Sequence, residues 1–468
     1  MGNIESVLQD ALSVHLINQG EIDYLYNYYK GKQPILHREK HIRPEINNKI
    51  VENRAHEIVS FKTGYLCGEP IQYISRGDKK ELSEDIGALN DMMMMCGKAQ
   101  KDRLLAEWMY IAGIGVRMVI PNDKYIENEV VPKLRTGRTD FLKDEAPFDL
   151  YVFDPRYAFV VYYSGPGEPP VLGVKITQRK DNRYIISAYS ETDYFEFESQ
   201  GLWNLQLVRA AKRTFGGIPI IEYLLNNARQ SPIEVVLPIL DAINRVQSNR
   251  LDGIEQFIQS LLVLVNAEVK DEDAKYIQEA GLIVLKSLGG ENRADIKIIA
   301  EQLDQMQTQR LIDYMHQTIL DIVGMPNRNG KNSTSDTGAA VYQRDGHSDA
   351  EARAKSDELM FKESERQLLK IILNILRSTV GTRLTLADIE IKFTRRIYEN
   401  SLTKAQIFDM LSRNPHIAPS LAFAVSGLFS DPEDAAKLSE EYYEKYKREQ
   451  RELEKQGKLM REGGDVFD

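Results

Sequence analysis

Cysteine is scarce in this chain: only Cys67 and Cys96 occur among its 468 residues. Two thiols without a Cys-x-x-Cys pair support neither a disulfide framework nor a thiolate zinc site, and they indicate a reducing compartment. The seven histidines include no HExxH zinc motif, and no GxSxG nucleophile motif is present. We therefore expect no catalytic residue, no metal and no cofactor.

Long apolar runs are also missing. No run approaches the roughly 20 residues that cross a bilayer, and the N-terminus has no signal-peptide core, so no membrane insertion is expected. The hydrophobic fraction of 42% is ample for folding, and the length of 468 residues favours several structural regions.

Basic charge does not dominate either. The formal net charge is -10, and 28% of the residues are charged. Tight sequence-independent binding of nucleic acid requires a basic surface that neutralises phosphates, which this balance argues against. A surface past which DNA slides without sticking remains compatible with it.

The first half of the chain predicts helices followed by a sheet. Apolar residues recur at helical spacing over 4–30, 47–66 and 81–112. From residue 115, short β-branched and aromatic runs separated by Pro, Gly and Asn predict an antiparallel sheet. These runs are VRMVI, FDLYVFD, YAFVVYY, VLGVKIT, RYIISAY and DYFEFE. Residues 1–230 are therefore predicted to form an α+β domain.

Two long amphipathic helices are predicted next, over 231–260 and from about Gln302 to Val323. The first opens with a capping-box spacing at Ser231 and Glu234, and Pro238 predicts either a kink or a later start. Each helix carries an apolar stripe, and the rest of the chain offers little apolar surface to cover it. This arrangement is typical of a part built by packing many copies.

The remaining segments divide into an insert, a loop and helices. Residues 261–300 contain β-rich runs, and the Gly-, Asn- and Ser-rich stretch GMPNRNGKNSTSDTG that follows Val323 predicts a loop. A helix is predicted from about Ser335, interrupted near Gly346 and resumed over 349–379. The strand at 388–394 is expected to return to the earlier sheet, and the last seventy residues are predicted to be helical and increasingly polar.

Short motifs in a shared order resemble the portal proteins of long-tailed double-stranded DNA bacteriophages. The resemblance extends over nearly the whole chain. The residues that carry it are Tyr28-Tyr29-x-Gly31, Asn47-Asn48-Lys49-Ile50, Lys62-Thr63-Gly64-Tyr65 with Gly68 and Pro70, the LLVLVN run, Ile322-Val323-Gly324-Met325-Pro326 and Ser335-x-x-Gly338-x-Ala340.

The resemblance implies an α+β portal fold assembled as a dodecameric ring around a channel at one capsid vertex. In a ring, helices without an intrachain core bury their stripes against neighbours. The implied regions are a wing at 1–230 and 349–399, stem helices at 231–260 and 301–323, a clip at 261–300, a tunnel loop with an adjoining helix at 324–348, and a crown with a tail at 400–468.

The resemblance also implies partners and a site. The expected partners are further copies of the chain, capsid and scaffolding proteins, the terminase motor, the head-to-tail adaptor and double-stranded DNA. The protein is expected in the virion, and in the host cytoplasm during assembly. The tunnel loop is expected to touch DNA phosphate weakly, because strong pairing would brake translocation. The candidate residues are Arg328 and Lys331, with Asn329, Asn332 and Ser333 as neutral partners.

Three other interpretations stay open. The loop charges of Arg328 and Lys331 are also compatible with a solvated surface linker. The chain is also compatible with a monomeric cytosolic scaffold or binding module. A metal-dependent enzyme acting on nucleic acid would need a metal site built from its many Asp and Glu residues, which lie mainly on charged helix faces.

Overall fold

The computed structural model describes residues 2–41, 43–76, 80–122, 145–181, 183–213, 216–258, 261–265, 295–299, 305–327, 346–395, 401–429 and 432–462. Over these residues the chain has the predicted mixed α+β architecture. The helices are α1 (Gly2–Tyr29), α2 (Arg54–Cys67), α3 (Lys80–Met95), α4 (Lys98–Ala112), α5 (Pro232–Ile258), α6 (Gln305–Val323), α7 (His347–Thr379), α8 (Ser401–Ser412), α9 (Pro419–Ser426) and α10 (Pro432–Glu462). The strands are β1 (Gln72–Ser75), β2 (Ile114–Pro121), β3 (Phe148–Phe153), β4 (Ala158–Tyr162), β5 (Pro170–Gln178), β6 (Arg183–Tyr189), β7 (Asp193–Gln200), β8 (Gln206–Lys212), β9 (Ile220–Leu224), β10 (Leu261–Val265), β11 (Asp295–Ile299) and β12 (Ile389–Lys392).

The main core surrounds a three-stranded antiparallel sheet in the order β3-β2-β9. Strand β2 is central, and its residues from Ile114 to Val119 are all buried. Helices α4 and α7 both cover the face of β2 that carries Arg117. Val116 and Met118 on the opposite face pack with Ala158 and Val160 of β4, so the middle strand has no face open to water. A strand covered on both faces reads in sequence as a continuous apolar run, which explains the IGVRMVI pattern.

A charged residue in that run is paired inside the core. Arg117 of β2 is fully buried, and its Nη2 donates a 2.5 Å hydrogen bond to Asp102 Oδ1 of α4. Its Nη1 lies 3.4 Å from Glu365 Oε2 of α7, and Lys98 Nζ lies 3.2 Å from Glu365 Oε1. Two cations therefore face two carboxylates. A buried charge is tolerated only when it is paired and hydrogen-bonded in this way.

A second sheet has five antiparallel strands in the order β4-β5-β6-β7-β8. One face carries an apolar cluster that includes Val174, Ile186 and Phe197, and α1 covers it with Leu8 and Leu12. The predicted antiparallel sheet is thus divided into two sheets, and strands β8 and β9 were not among the predicted runs.

Strand β12 does not return to either of these sheets, so the predicted placement of 388–394 was wrong. It pairs antiparallel with β1 in a separate ribbon, where Tyr73 lies opposite Ile391. The partner strand β1 is four residues long and had not been recognised in the sequence. The pairing is set by contacts between distant parts of the chain, which local periodicity does not report.

Helix α5 begins as predicted at its capping box. Ile233 N–H donates to Ser231 Oγ at 3.1 Å, and Ser231 N–H donates to Glu234 Oε2 at 3.4 Å. The helix runs continuously from Pro232 through Pro238 to Ile258, so the alternative of a later start was wrong.

The insert after α5 contains one antiparallel pair within the described residues, formed by β10 and β11. The predicted run at 281–287 lies outside the described residues, as does the helix predicted from about Ser335 up to residue 345. At the C-terminal end, α8 and α9 pack through Phe408, Phe423 and Phe429, whose ring centroids are 4.8 to 5.6 Å apart. Helix α10 follows as the predicted polar helix.

Candidate channel segment and helical hairpin

The five predicted DNA-contacting residues, Arg328, Asn329, Lys331, Asn332 and Ser333, lie outside the described residues. The structure describes the chain on both sides of the segment 328–345 that contains them. These two ends are Gly324–Asn327, which follows α6, and Gly346, which precedes α7. These two ends are called the base of the segment below.

Helix α6 ends in a glycine-dependent turn. Gly324 has a φ of +67°, in the left-handed region that favours glycine, and Met325 N–H donates to Leu320 C=O at 2.9 Å. This six-to-one hydrogen bond is the Schellman arrangement that terminates helices. Met325 and Pro326 are buried, so the chain leaves the helix along a fixed path. The turn explains the Gly-Met-Pro motif at 324–326.

Arg353 of α7 caps the same helix end. Its Nη1 donates to the Ile322 carbonyl at 2.6 Å, and its Nη2 donates to the Asp321 carbonyl at 3.3 Å. A cation at a helix C-terminus satisfies free carbonyls and opposes the negative end of the helix dipole. A Cβ on Gly324 would lie 2.1 Å from Arg353 Cδ, so the arginine occupies the space that only glycine leaves open.

The two ends of the segment 328–345 meet. Gly346 also has a left-handed φ, of +77°, and a Cβ built there would lie 3.7 Å from Pro326 Cα. The described chain therefore stops and resumes at nearly one point. The segment between these two ends is 18 residues long.

Helices α5 and α6 pack together and are called the helical hairpin below. Their inner faces are apolar, with Ile233, Val236, Leu240, Ile243, Ile312, Ile319 and Val323 buried. Their outer faces also carry large apolar side chains. Met306 is 73% exposed, Tyr314 71% and Leu311 49%, and Val235 and Ile254 on α5 are exposed as well. These exposed side chains are called the second apolar face of the hairpin below.

Residues 47–53 form an extended segment, called the strap below, that lies along α5. The prediction of a helix from residue 47 was therefore wrong, and α2 starts at Arg54 with Asn53 as its N-cap. Three strap N–H groups donate to three buried α5 side chains. Asn48 bonds Asp252 at 2.8 Å, Ile50 bonds Ser248 at 3.0 Å and Glu52 bonds Asn244 at 2.8 Å.

The spacing of these bonds has a simple geometric reason. Alternate strap residues meet every fourth residue of α5. An extended chain advances about 6.6 Å over two residues and a helix about 6 Å over four, so the two periods nearly match. The polar stripe of α5 thus takes the place of a neighbouring strand and satisfies the strap backbone.

Glu52 joins the strap to both helices of the hairpin. Its Oε2 accepts a 3.1 Å hydrogen bond from Gln247 Nε2 of α5, and its Oε1 lies 3.0 Å from His316 Nε2 of α6. The adjacent His316 imidazole lowers the pKa of Glu52 to about 2, although partial burial of the carboxyl opposes this shift.

Several residues of the sequence motifs converge on this region. Tyr28 Oη donates to Asp241 of α5 at 2.8 Å, and Tyr65 Oη donates to Glu351 of α7 at 3.2 Å. Sequence reasoning missed Glu52, His316 and Arg353, because each acts through a partner more than thirty residues away. The one available signal was the proximity of Glu52 to the Asn47-Asn48-Lys49-Ile50 motif.

The charged groups that the structure describes do not form a metal site. Across these residues, no group of three or more His, Cys, Asp and Glu side chains is placed to hold a metal ion. The buried carboxylate Glu365 accepts hydrogen bonds from Tyr73 at 2.6 Å and Tyr223 at 2.7 Å. Burial would raise the pKa of Glu365, but Lys98, Arg117 and these hydroxyls keep it lowered.

In the part of the chain covered here, no helix combines the length and apolar character that a bilayer crossing requires.

Comparison with known proteins gives a family and two similar structures. No curated protein matches the chain significantly. A chain in the neck of an empty gene transfer agent particle, computed with C6 symmetry, is 12% identical with a TM-score of 0.43, and the match covers 80% of this chain and 90% of that chain. A chain in the virion of a native gene transfer agent particle gives the same identity and TM-score, with 80% and 89% coverage. The family model described as phage portal protein, SPP1 Gp6-like, matches residues 15–456. The chain therefore belongs to the SPP1 Gp6-like family of phage portal proteins.

Proposed function

We propose that this portal protein closes into a ring in which the helical hairpin surrounds the DNA channel. Family membership makes the chain a structural head-to-tail connector of the virion with a DNA channel, and not an enzyme. The proposal adds where the subunits meet and which part of each subunit faces the channel. Twelve copies form the ring, as the resemblance to portal proteins implies.

The observation that carries the proposal is the second apolar face of the hairpin. Met306, Leu311 and Tyr314 project from α6 away from its buried stripe. Large exposed apolar patches on soluble proteins mark interaction surfaces, because leaving them in water costs free energy. In a closed ring, each such face is covered by the next subunit without an open end.

The proposed regions follow the resemblance. The wing comprises 1–230 and 349–399, the clip 261–300 and the crown 400–468, while α5 and α6 form the stem. The antiparallel pair of β10 and β11 supports a β-containing clip. A two-stranded ribbon is marginal alone, so its stability is expected to come from neighbouring subunits.

The loop proposal concerns Arg328 and Lys331. The base formed by Gly324, Arg353 and Gly346 supports it, because that base directs the 18-residue segment from the end of the hairpin. In a ring, identical bases would present one loop per subunit to the channel. Each loop would then touch phosphate through weak, sequence-independent contacts.

The proposed external partners are the capsid and scaffolding proteins, the terminase motor during packaging and the head-to-tail adaptor afterwards. These assignments rest on the family resemblance. They place the protein at one capsid vertex in the finished particle.

The ring proposal is tested by adding charge to the exposed face of α6. We expect Leu311→Asp with Tyr314→Asp to abolish rings in native mass spectrometry, because a buried unpaired carboxylate opposes each interface. The control is Ser6→Asp with Asn18→Asp, which adds the same net charge at exposed polar positions on α1, away from the hairpin. Rings that survive the first double substitution would contradict the proposed interface.

The loop proposal is tested by Arg328→Ala with Lys331→Ala. We expect rings of normal size and altered packaging or retention of DNA, because the substitutions remove phosphate contacts without touching the loop base. Unchanged packaging and retention would count against the loop assignment. Lys355→Ala, an exposed cation on α7, is the control for a general loss of positive charge.

A further inference from the structure

Glu52 of the strap contacts both helices of the hairpin. Its N–H bonds Asn244 and its carboxylate bonds Gln247, both on α5, while the same carboxylate faces His316 on α6. One residue thus fixes α5 through backbone and side chain together and reaches α6 through its charge.

The hydrogen-bonding capacity of the His316 imidazole is only partly satisfied in this contact. Glu52 Oε1 also accepts a 2.9 Å hydrogen bond from Arg54 Nε, so the imidazole shares the carboxylate with a guanidinium. His316 Nε2 is buried at 3.0 Å from Glu52 Oε1, yet it makes no aligned hydrogen bond with any residue that the structure describes. A partly satisfied imidazole beside a carboxylate gains a stronger partner when it is protonated.

The contact also adjoins the exit of α6. A cavity of about 140 Å³ is lined by Arg54, Glu57 and His316 on one side and by Met325, Pro326 and Asn327 on the other. Movement of His316 would therefore change the packing of the residues that precede the segment 328–345. Within the described chain, the carboxylate in contact with the imidazole is that of Glu52, while Arg54 and Glu57 line the same cavity and α5 contributes the neutral Gln247.

We propose that Glu52 is a positioning residue that sets the spacing of α5 and α6, and that protonation of His316 tightens this brace. This inference rests on the proposed function, in which the hairpin surrounds the channel. When His316 is neutral, Glu52 holds α5 firmly and α6 loosely. When His316 is protonated, the imidazolium and the carboxylate form an ion pair across the hairpin, and the end of α6 is held more rigidly.

The test is amide hydrogen exchange on rings assembled from the full chain. We expect Glu52→Gln to speed exchange in residues 312–323 about tenfold, because a charge-assisted contact contributes about 1.5 kcal/mol and tenfold corresponds to 1.4 kcal/mol. Glu57→Gln is the matched control, since Glu57 lines the same cavity and pairs with Arg54. Its exchange in residues 312–323 should equal that of the unmodified chain.

The pH dependence separates a positioning role from a general loss of stability. After correction for intrinsic rates, exchange in residues 312–323 should be slower at about pH 5.5 than at about pH 8, because acid favours the imidazolium that pairs with the Glu52 carboxylate. The difference should vanish in His316→Gln, which also carries the test if Glu52→Gln does not form rings. Equal exchange in Glu52→Gln and Glu57→Gln, or pH dependence that survives His316→Gln, would overturn the inference. Failure of the unmodified chain to form rings would instead overturn the proposed function.

Discussion

The Asn48 backbone N–H donates a 2.8 Å hydrogen bond to Asp252 Oδ1, although 204 residues separate the two in sequence. The bond is the first of three that fasten the strap to α5. Asp252 also pairs with Lys40 Nζ at 3.0 Å and with Arg38 Nη2 at 3.1 Å. A buried carboxylate of the hairpin thus organises the chain around the Asn47-Asn48-Lys49-Ile50 motif.

Asp252→Ala should destabilise the fold by about 3 kcal/mol, because it removes the acceptor of the Asn48 N–H and the ion-pair partner of Lys40 and Arg38. Urea unfolding followed by circular dichroism measures this loss. Glu255→Ala, one turn further along α5, should cost less than about 0.5 kcal/mol. Similar losses in the two variants would contradict the role assigned to the strap.

The Asp252 carboxylate should also make the free energy of unfolding sensitive to acid. Burial alone would raise the pKa of Asp252, but the Asn48 N–H and Lys40 outweigh it, so the folded pKa lies below the ordinary value of 3.8. A lowered folded pKa stabilises the native state above the unfolded pKa, and this stabilisation disappears as pH falls through the folded value. The unfolding free energy of Asp252→Asn should therefore fall less steeply below about pH 4. Parallel profiles of unfolding free energy against pH for the unmodified chain and Asp252→Asn would exclude this contribution.

Gly324→Ala should be more destabilising than Gly346→Ala. Both glycines have left-handed φ angles, so each substitution costs about 1 kcal/mol in backbone strain. The added methyl at 324 also displaces Arg353, which can move only by giving up its hydrogen bonds to the end of α6, and we expect a total of about 3 kcal/mol. At 346 the nearest atom is 3.7 Å away. Thermal unfolding of both variants measures the difference, and equal shifts would exclude the Arg353 cap as its cause.

Glu365→Ala should cost about 3–5 kcal/mol, because it leaves Arg117 and Lys98 buried with one carboxylate between them. Denaturant unfolding provides the measurement. Glu363→Ala, at an exposed position two residues earlier on α7, is the control and should stay within about 0.5 kcal/mol. A loss below about 1 kcal/mol for Glu365→Ala would show that the paired charges are dispensable.

The two thiols should react slowly and in a fixed order. Burial raises the pKa of Cys96 to about 11 and that of Cys67 further. Only the thiolate is nucleophilic, so iodoacetamide at about pH 8 should modify Cys96 slowly and Cys67 more slowly still. Mass spectrometry of timed samples checks the order, with urea-unfolded chain as the control. Equal rates at Cys67 in folded and unfolded chain would contradict its burial.

The parts of the fold that local sequence specifies were predicted well. The amphipathic periods of α5 and α6, the capping box at Ser231 and the alternating runs from β2 to β7 are confirmed as elements. The family and the mixed α+β class are confirmed as well. These features depend on the spacing of apolar residues and on capping side chains, which are visible within a short window.

The missed features depend on distant partners. The strap was predicted as part of a helix over 47–66, whereas the N–H groups of Asn48, Ile50 and Glu52 bond α5. The pairing of β12 with β1 joins residues more than 300 positions apart. The Arg353 cap depends on a turn thirty residues earlier. The DNA-contacting residues and the division into wing, stem, clip and crown stay predictions.

A cryo-electron microscopy reconstruction of the purified chain tests the central claim most directly. The account predicts a closed ring with α5 and α6 around the central hole, and with Met306 and Tyr314 covered by the adjacent subunit. A monomer, or a ring in which the helical hairpin lies on the outer rim with those side chains still in solvent, would contradict it.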